Sequence, residues 1–303
     1  MSEQRSQGAN LRGDVPRPRL EDYAKKYGHV FAFERNDGVL EARLHHNGGV
    51  QGASGWFNVW SQAWLEMGND PENEVIIVTG SGDQWIEYQM GRTGEITDEM
   101  RAAFAGACTA ENAFRLYYDA LKNTENVVFG LNVPTIGVIQ GPAFVHFETA
   151  LMCDITLCAD DAVFKDPHAD FGLAPGDGLG LAFQHLMNPK QQAYYLYTSE
   201  TIDAQTALRL GMVNEVLPHA ELMPRARAIA ARILRMPKLA RLMSKQIVRR
   251  QLQQRHVQDA GFHLAHELLG FMTNVREGAA HTPEKVRASL DDFDSARAQA
   301  KRR

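Results

Sequence analysis

The chain has 303 residues, of which 44% are apolar and 23% charged, with 25 glycines and 12 prolines. That balance excludes disordered, fibrous and disulfide-scaffold classes and allows a sizeable core. Lys and Arg number 32 against 37 Asp and Glu, a net charge of −5 that gives no electrostatic case for a nucleic-acid partner.

Residues 1–20 are polar, carry Pro16 and Pro18, and predict a flexible N-terminal arm. They lack the apolar stretch of a signal peptide. The longest apolar run, Val127 to Ile139, is interrupted by Asn132 and Pro134, so neither export nor a membrane span is expected. Three cysteines, Cys108, Cys153 and Cys158, are odd in number and lack paired zinc-ligand spacing, which fits reduced thiols in the cytoplasm.

From Val30 the chain alternates strands with helices. Val30 to Phe33 and Val39 to Leu44 predict a hairpin around Asn36-Asp37-Gly38, followed by a helix over Trp56 to Met67. Glu74 to Thr79 and Thr135 to Gln140 are β-branched runs that end in glycine, the marks of buried strands, and a helix is expected between them over about Thr97 to Glu125. Short strands follow at Ile155 to Cys158 and Val163 to Lys165. Such alternation predicts an α/β core, placed at 21–218. The remainder, 219–303, offers helical runs at Glu221 to Arg235, Lys238 to Gln254 and His256 to Thr273, then a charged, weakly amphipathic tail from Arg276. In the third run Val257, Ala260, Leu264, Leu268 and Met272 form one apolar stripe, expected to pack on the core or on another subunit.

The chemistry-bearing text is Thr135 to Gly180, TIGVIQGPAFVHFETALMCDITLCADDAVFKDPHADFGLAPGDGLG. Together with EVIIVTGSG (Glu74 to Gly82) and ETIDAQTALRLGMVNEVLP (Glu200 to Pro218), it resembles the crotonase, or enoyl-CoA hydratase/isomerase, superfamily. The resemblance implies a spiral of ββα units, a C-terminal helical trimerisation region, and homo-trimers or dimers of trimers. Hydratases of that superfamily use two glutamates to handle water and a proton. This sequence keeps Glu148 at the first position and has His168 at the second. The glycine run that precedes the first glutamate in hydratases is replaced by Ala143-Phe144-Val145-His146-Phe147, which predicts a bulky pocket where a thioester carbonyl would lie.

These departures resemble the β-diketone hydrolases of the superfamily, typified by 6-oxocamphor hydrolase. The resemblance implies that His146 meets a substrate carbonyl, that His168 activates water, that Asp177 orients His168, and that Glu267 adds a carboxylate from the C-terminal helices. Glu148 is assigned either support or direct proton transfer. The tryptophan of the camphor enzyme has no counterpart, because Gly48 to Ser54 reads GGVQGAS.

The reaction can be rebuilt from the residue types. Cleaving a C–C bond between two carbonyls needs water added to one carbonyl while the other accepts an enolate. An imidazole near its ordinary pKa of about 6.5 suits the first task, with a carboxylate on its other nitrogen fixing the tautomer. A second imidazole can donate to the developing enolate. Such a reaction on a small-molecule diketone requires no cofactor. Metal is not implied either, since adjacent His45 and His46 on a strand face opposite ways and His263, His266 and Glu267 have no evident further ligands. Each residue also has a structural alternative: His146 as a core hydrogen-bonder, Asp177 as a turn and helix cap, Glu267 as an i, i+4 partner of His263. Two other functions stay open: a CoA-thioester hydratase, isomerase or hydrolase, for which Arg276-Glu277-Gly278 and Lys285 speak faintly, and a non-catalytic trimeric scaffold.

Overall fold

The computed structural model describes residues 16–51, 57–87, 110–277 and 283–302. Cys108, most of the N-terminal arm and the first half of the helix expected over Thr97 to Glu125 lie outside them.

The expected α/β class holds. Among the described residues six strands form the main sheet: β1 (Phe31–Asn36), β2 (Val39–Leu44), β3 (Val75–Thr79), β4 (Thr135–Ile139), β5 (Ile155–Ala159) and β8 (Glu215–Leu217), in that spatial order. Among the described neighbours in this sheet only β1 and β2 pair antiparallel, because Asp37 and Gly38 both take positive φ (48° and 82°) and close the two-residue hairpin that Asn36-Asp37-Gly38 predicts. The later strands pair in parallel. Every residue of β3 and β4 is buried, the expected state of a parallel sheet covered on both faces. A second, two-stranded sheet pairs β6 (Val163–Phe164) with β7 (Ile202–Asp203).

The helices of the α/β part are α1 (Leu20–Tyr27), α2 (Phe57–Asn69), α3 (Ala110–Glu125), α4 (Glu148–Leu151), α5 (Leu179–Leu186), α6 (Pro189–Thr198) and α7 (Ala204–Leu210). Local chemistry sets several ends. Asn188 accepts from the backbone of Lys190 and Gln191 while Pro189 opens α6, and Asp203 accepts from Thr206 N at 2.8 Å to start α7. Gly211, in the left-handed region, ends α7.

The described residues of the C-terminal region form the helices α8 (His219–Leu234), α9 (Lys238–Arg255), α10 (Gly261–Glu277) and α11 (Pro283–Ala300). The helical runs expected at Lys238 to Gln254 and His256 to Thr273 are joined by a π turn, His256–Ala260, so α9 runs into α10 with helical backbone throughout. The wider turn shifts the phase of the apolar stripe: Ala260 and Leu264 are buried, whereas Val257 is 75% exposed. The charged, weakly amphipathic tail expected from Arg276 includes α11, which buries Val286 and Phe293 and is fixed by Ser289 on Asp170, Asp292 on Lys165 and Arg297 on Asp83. The inner face of α9 carries three buried cations four residues apart, Arg241, Lys245 and Arg249. Asp154, at the start of β5, accepts from Lys245 at 2.6 Å and Arg249 at 3.1 Å, which ties α9 to the sheet. Among the described residues no helix is long and apolar enough to cross a membrane.

Candidate active site

Loops at the strand exits bring the polar residues together. After β4 the chain turns through Gln140-Gly141-Pro142, and the backbone carbonyl of His146 accepts from Trp85 Nε1 at 2.8 Å. His146 itself has φ +51°, a left-handed conformation that costs a non-glycine residue energy and is characteristic of sites where geometry is imposed. The next turn is α4, which places Glu148 two residues on. The exit of β6 supplies Asp166-Pro167-His168, the Pro175-Gly176-Asp177-Gly178 turn before α5 supplies Asp177, and α10 supplies Glu267.

Two glycines allow this convergence. A Cβ on Gly176 would lie 2.5 Å from the His263 carbonyl oxygen and 2.6 Å from Glu267 Cβ, so α10 can close on the turn only where no side chain intervenes. Gly178, at φ +131°, meets Thr124 and Glu148 in the same way.

All five residues named from the sequence meet in one cluster. His146 Nδ1 lies 3.3 Å from Asp177 Oδ2 and 3.6 Å from Glu148 Oε1. His168 Nε2 lies 3.8 Å from Asp177 Oδ1 and 3.7 Å from Glu267 Oε1. Asp177 thus sits between the two imidazoles. The His146 ring is walled by Phe57, whose centroid is 5.0 Å away, and by Trp60 at 6.0 Å, both edge-on.

One expected pairing is corrected. Asp177 does not hold the far nitrogen of His168; that nitrogen, Nδ1, is 2.5 Å from Asp166 Oδ1, and Asp177 stands on the Nε2 side. The reason is local: with only Pro167 between them, Asp166 folds back on His168 and also accepts its backbone N–H at 3.0 Å. Sequence reasoning passed over Asp166, although the Asp-Pro-His spacing was its signal. Glu267 faces His168, and no ion pair with His263 forms among the described residues. The bulky side chains of the 143–147 run are absorbed by packing: Phe144 lies against Phe171 and Phe293, and Phe147 against Phe164 and Phe183. No tryptophan falls within Gly48 to Gln51, yet the fold brings Trp60 to the site, its buried Nε1 without a hydrogen-bond partner among the described residues.

Burial works against charge on either imidazole, but the carboxylates overcome it. His146 is pushed up to about 10 by Asp177 and Glu148. His168 is raised well above its ordinary value by Asp166 and Asp177, with Glu267 adding to the effect. Burial, opposed by the neighbouring imidazoles, raises Glu148 and Glu267. Asp177 is also buried, yet the two imidazoliums hold it below the usual carboxylate range. Both Glu148 oxygens, Asp177 Oδ1 and Glu267 Oε2 have no hydrogen-bond partner among the described residues. Ligand atoms of His168, Asp177 and Glu267 lie within 4.8 Å of one another, a spacing that can hold a cation or a water. Gly278, in the segment whose sequence spoke for CoA, is outside the described residues.

The arrangement gathers groups able to take up and release protons, and comparison with known proteins gives the family of the chain. A family model for enoyl-CoA hydratase/isomerase matches residues 60–291, and the chain belongs to that family. It is 31% identical over 182 residues to a crotonyl-CoA hydratase of Syntrophomonas wolfei, a match covering 59% of this chain and 65% of that protein. A carnitinyl-CoA dehydratase of Citrobacter koseri is 32% identical over 195 residues, covering 62% of this chain and 68% of that one. Among solved structures, a β-diketone hydrolase from Anabaena sp. PCC 7120, bound to (S)-3-oxocyclohexyl acetic acid, is 29% identical with a TM-score of 0.74, covering 86% of this chain and 99% of that one. An enoyl-CoA hydratase/isomerase from Mycobacterium paratuberculosis, 20% identical with a TM-score of 0.69, covers 83% and 97% and shares the fold. The fold implied by the sequence resemblance is therefore the fold of the molecule.

Proposed function

We propose that this family member hydrolyses a C–C bond of a cyclic 1,3-diketone by retro-Claisen cleavage. The observation that carries the reading is the pair of imidazoles that meet the two oxygens of Asp177, with His168 standing where hydratases have their second glutamate. The likeness to the Anabaena β-diketone hydrolase supports it, and the ligand of that structure, a ring ketone bearing a carboxymethyl arm, is what hydrolytic opening of a bicyclic 1,3-diketone would leave.

In this reading His168 Nε2 takes a proton from water as the water oxygen bonds to one carbonyl carbon. The C–C bond then breaks, its electron pair passing into the enolate of the second carbonyl. His146, cationic at neutral pH, donates to that oxygen, and a donor so placed is worth about 3 to 4 kcal/mol. The proton held by His168 returns to the α-carbon, leaving a keto acid. Water supplies the only added atoms and no electrons are exchanged with a cofactor. Asp177 supports both imidazoles, with Glu148 beside His146 and Glu267 beside His168.

The CoA-thioester names of the sequence relatives set the alternative outcome. Purified protein is incubated in parallel with bicyclic 1,3-diketones and with crotonyl-CoA. Loss of a diketone is the expected result, and turnover of the thioester alone would sink the reading.

The same resemblance supports a second copy of this chain as the occupant of the exposed apolar face of the C-terminal helices. Leu239, Met243 and Ile247 recur every four residues along α9, and Phe262 and Leu269 are exposed on α10. We propose a homo-trimer or dimer of trimers built on this face. Ile247→Arg is expected to lower the mass in sedimentation, and an unchanged mass would contradict that use of the face.

A further inference from the structure

We infer that Asp166 is the positioning residue of the hydrolytic site, holding Nδ1 of His168 so that Nε2 alone is presented to water. The inference deepens the hydrolase reading and rests on it for the kinetic arm of its test.

The geometry supports this on three counts. Asp166 Oδ1 is 2.5 Å from His168 Nδ1, the shortest polar contact made by either imidazole, while the carboxylates of Asp177 and Glu267 on the Nε2 side are 3.8 and 3.7 Å away. Its side chain is 3% exposed, so the contact is shielded from water and little screened. The backbone around it is fixed: Phe171 N and Leu173 N both donate to the His168 carbonyl, at 3.1 and 2.8 Å, and His168 N donates to Asp166. A carboxylate that accepts only can be met by Nδ1 only if that nitrogen carries the proton, which leaves the lone pair of the neutral ring on Nε2. Nε2 is the atom that faces Asp177 and Glu267.

The competing structural role is a turn cap, in which Asp166 serves only the backbone N–H of His168. Asn caps turns about as well as Asp, so Asp166→Asn preserves that role and removes the charge. The charged groups facing His168 are Asp166 from the β6 exit, Asp177 from the turn before α5 and Glu267 from α10. With the nearest of the three neutralised, the imidazolium is less stabilised and the His168 titration moves to lower pH, by about one unit or more for a contact this close.

The experiment uses full-length protein labelled with ¹⁵N-histidine. In the wild type, Nδ1 of His168 is expected to keep its proton through the titration while Nε2 loses its own. In Asp166→Asn the titration midpoint and the rising limb of kcat/KM for the diketone should both shift to lower pH, and the plateau kcat should fall by about 10²- to 10⁴-fold with KM nearly constant. A wild-type neutral ring protonated on Nε2, or a variant whose midpoint stays in place, would overturn the assignment. The nuclear magnetic resonance arm needs no substrate. It decides the role of Asp166 even where the diketone assay fails, and that failure counts against the hydrolase reading alone.

Discussion

Asp177 Oδ2 stands 3.3 Å from Nδ1 of His146 while its other oxygen faces Nε2 of His168, so one buried carboxylate borders both imidazoles. Its replacement by Asn should therefore disturb both steps of the reaction. Asp177→Asn is expected to lower kcat for diketone cleavage by about 10²-fold or more. Steady-state kinetics check this, and wild-type turnover would reduce Asp177 to a turn residue.

The raised imidazole pKa values make activity and stability move in opposite directions with pH. His168 is the proposed base and must lose its proton, so kcat/KM should rise as pH increases through and above neutrality. His146 and His168 each bind a proton more tightly folded than unfolded. The stability they contribute is fully present below about pH 6.5 and is lost as pH rises through their folded values, which for His146 is about 10. Asp177, held low, contributes stability that is present above its unfolded value of about 3.9 and lost on acidification. A pH series of kcat/KM beside one of Tm tests the contrast: between about pH 7 and 9 the first should climb while the imidazole contribution to the second declines. A kcat/KM that falls over that interval would contradict His168 as base.

Much of this site is legible in the amino-acid sequence. Asn36-Asp37-Gly38 announces its hairpin, and the β-branched runs at Glu74 and Thr135 announce buried parallel strands, because short-range chemistry alone determines those features. The convergence of His146, Glu148, His168, Asp177 and Glu267 was likewise implied by the family resemblance of their segments. The partner of His168 was not. A carboxylate two residues away and one nine residues away are equally plausible from spacing, and only the backbone path around Pro167 decides for Asp166. Trp60 escaped notice for a similar reason: α2 reads as an ordinary amphipathic helix, and nothing local says that its indole reaches His146. The π turn at His256–Ala260 was hidden because a wider turn leaves no mark on composition, and the reading assumed a constant helical phase.

The buried cations of α9 lead to a stability prediction unrelated to catalysis. Asp154 is the carboxylate shared by Lys245 and Arg249, and burial together with Arg249 already pushes Lys245 down to about 7. Asp154→Ala leaves two buried cations without it and should cost about 3 to 5 kcal/mol. Urea unfolding measures the loss. A change below about 1 kcal/mol, the size typical of an exposed pair, would show that α9 is held by its apolar contacts instead.

The most direct test of the account is the mass of the product formed from a bicyclic 1,3-diketone. Retro-Claisen cleavage adds one water and opens the ring, so the expected product is a keto acid heavier than the substrate by the mass of one water, formed by the wild type and lost in a folded His168→Ala variant. Recovery of the diketone unchanged, with crotonyl-CoA hydrated by the same preparation, would contradict it.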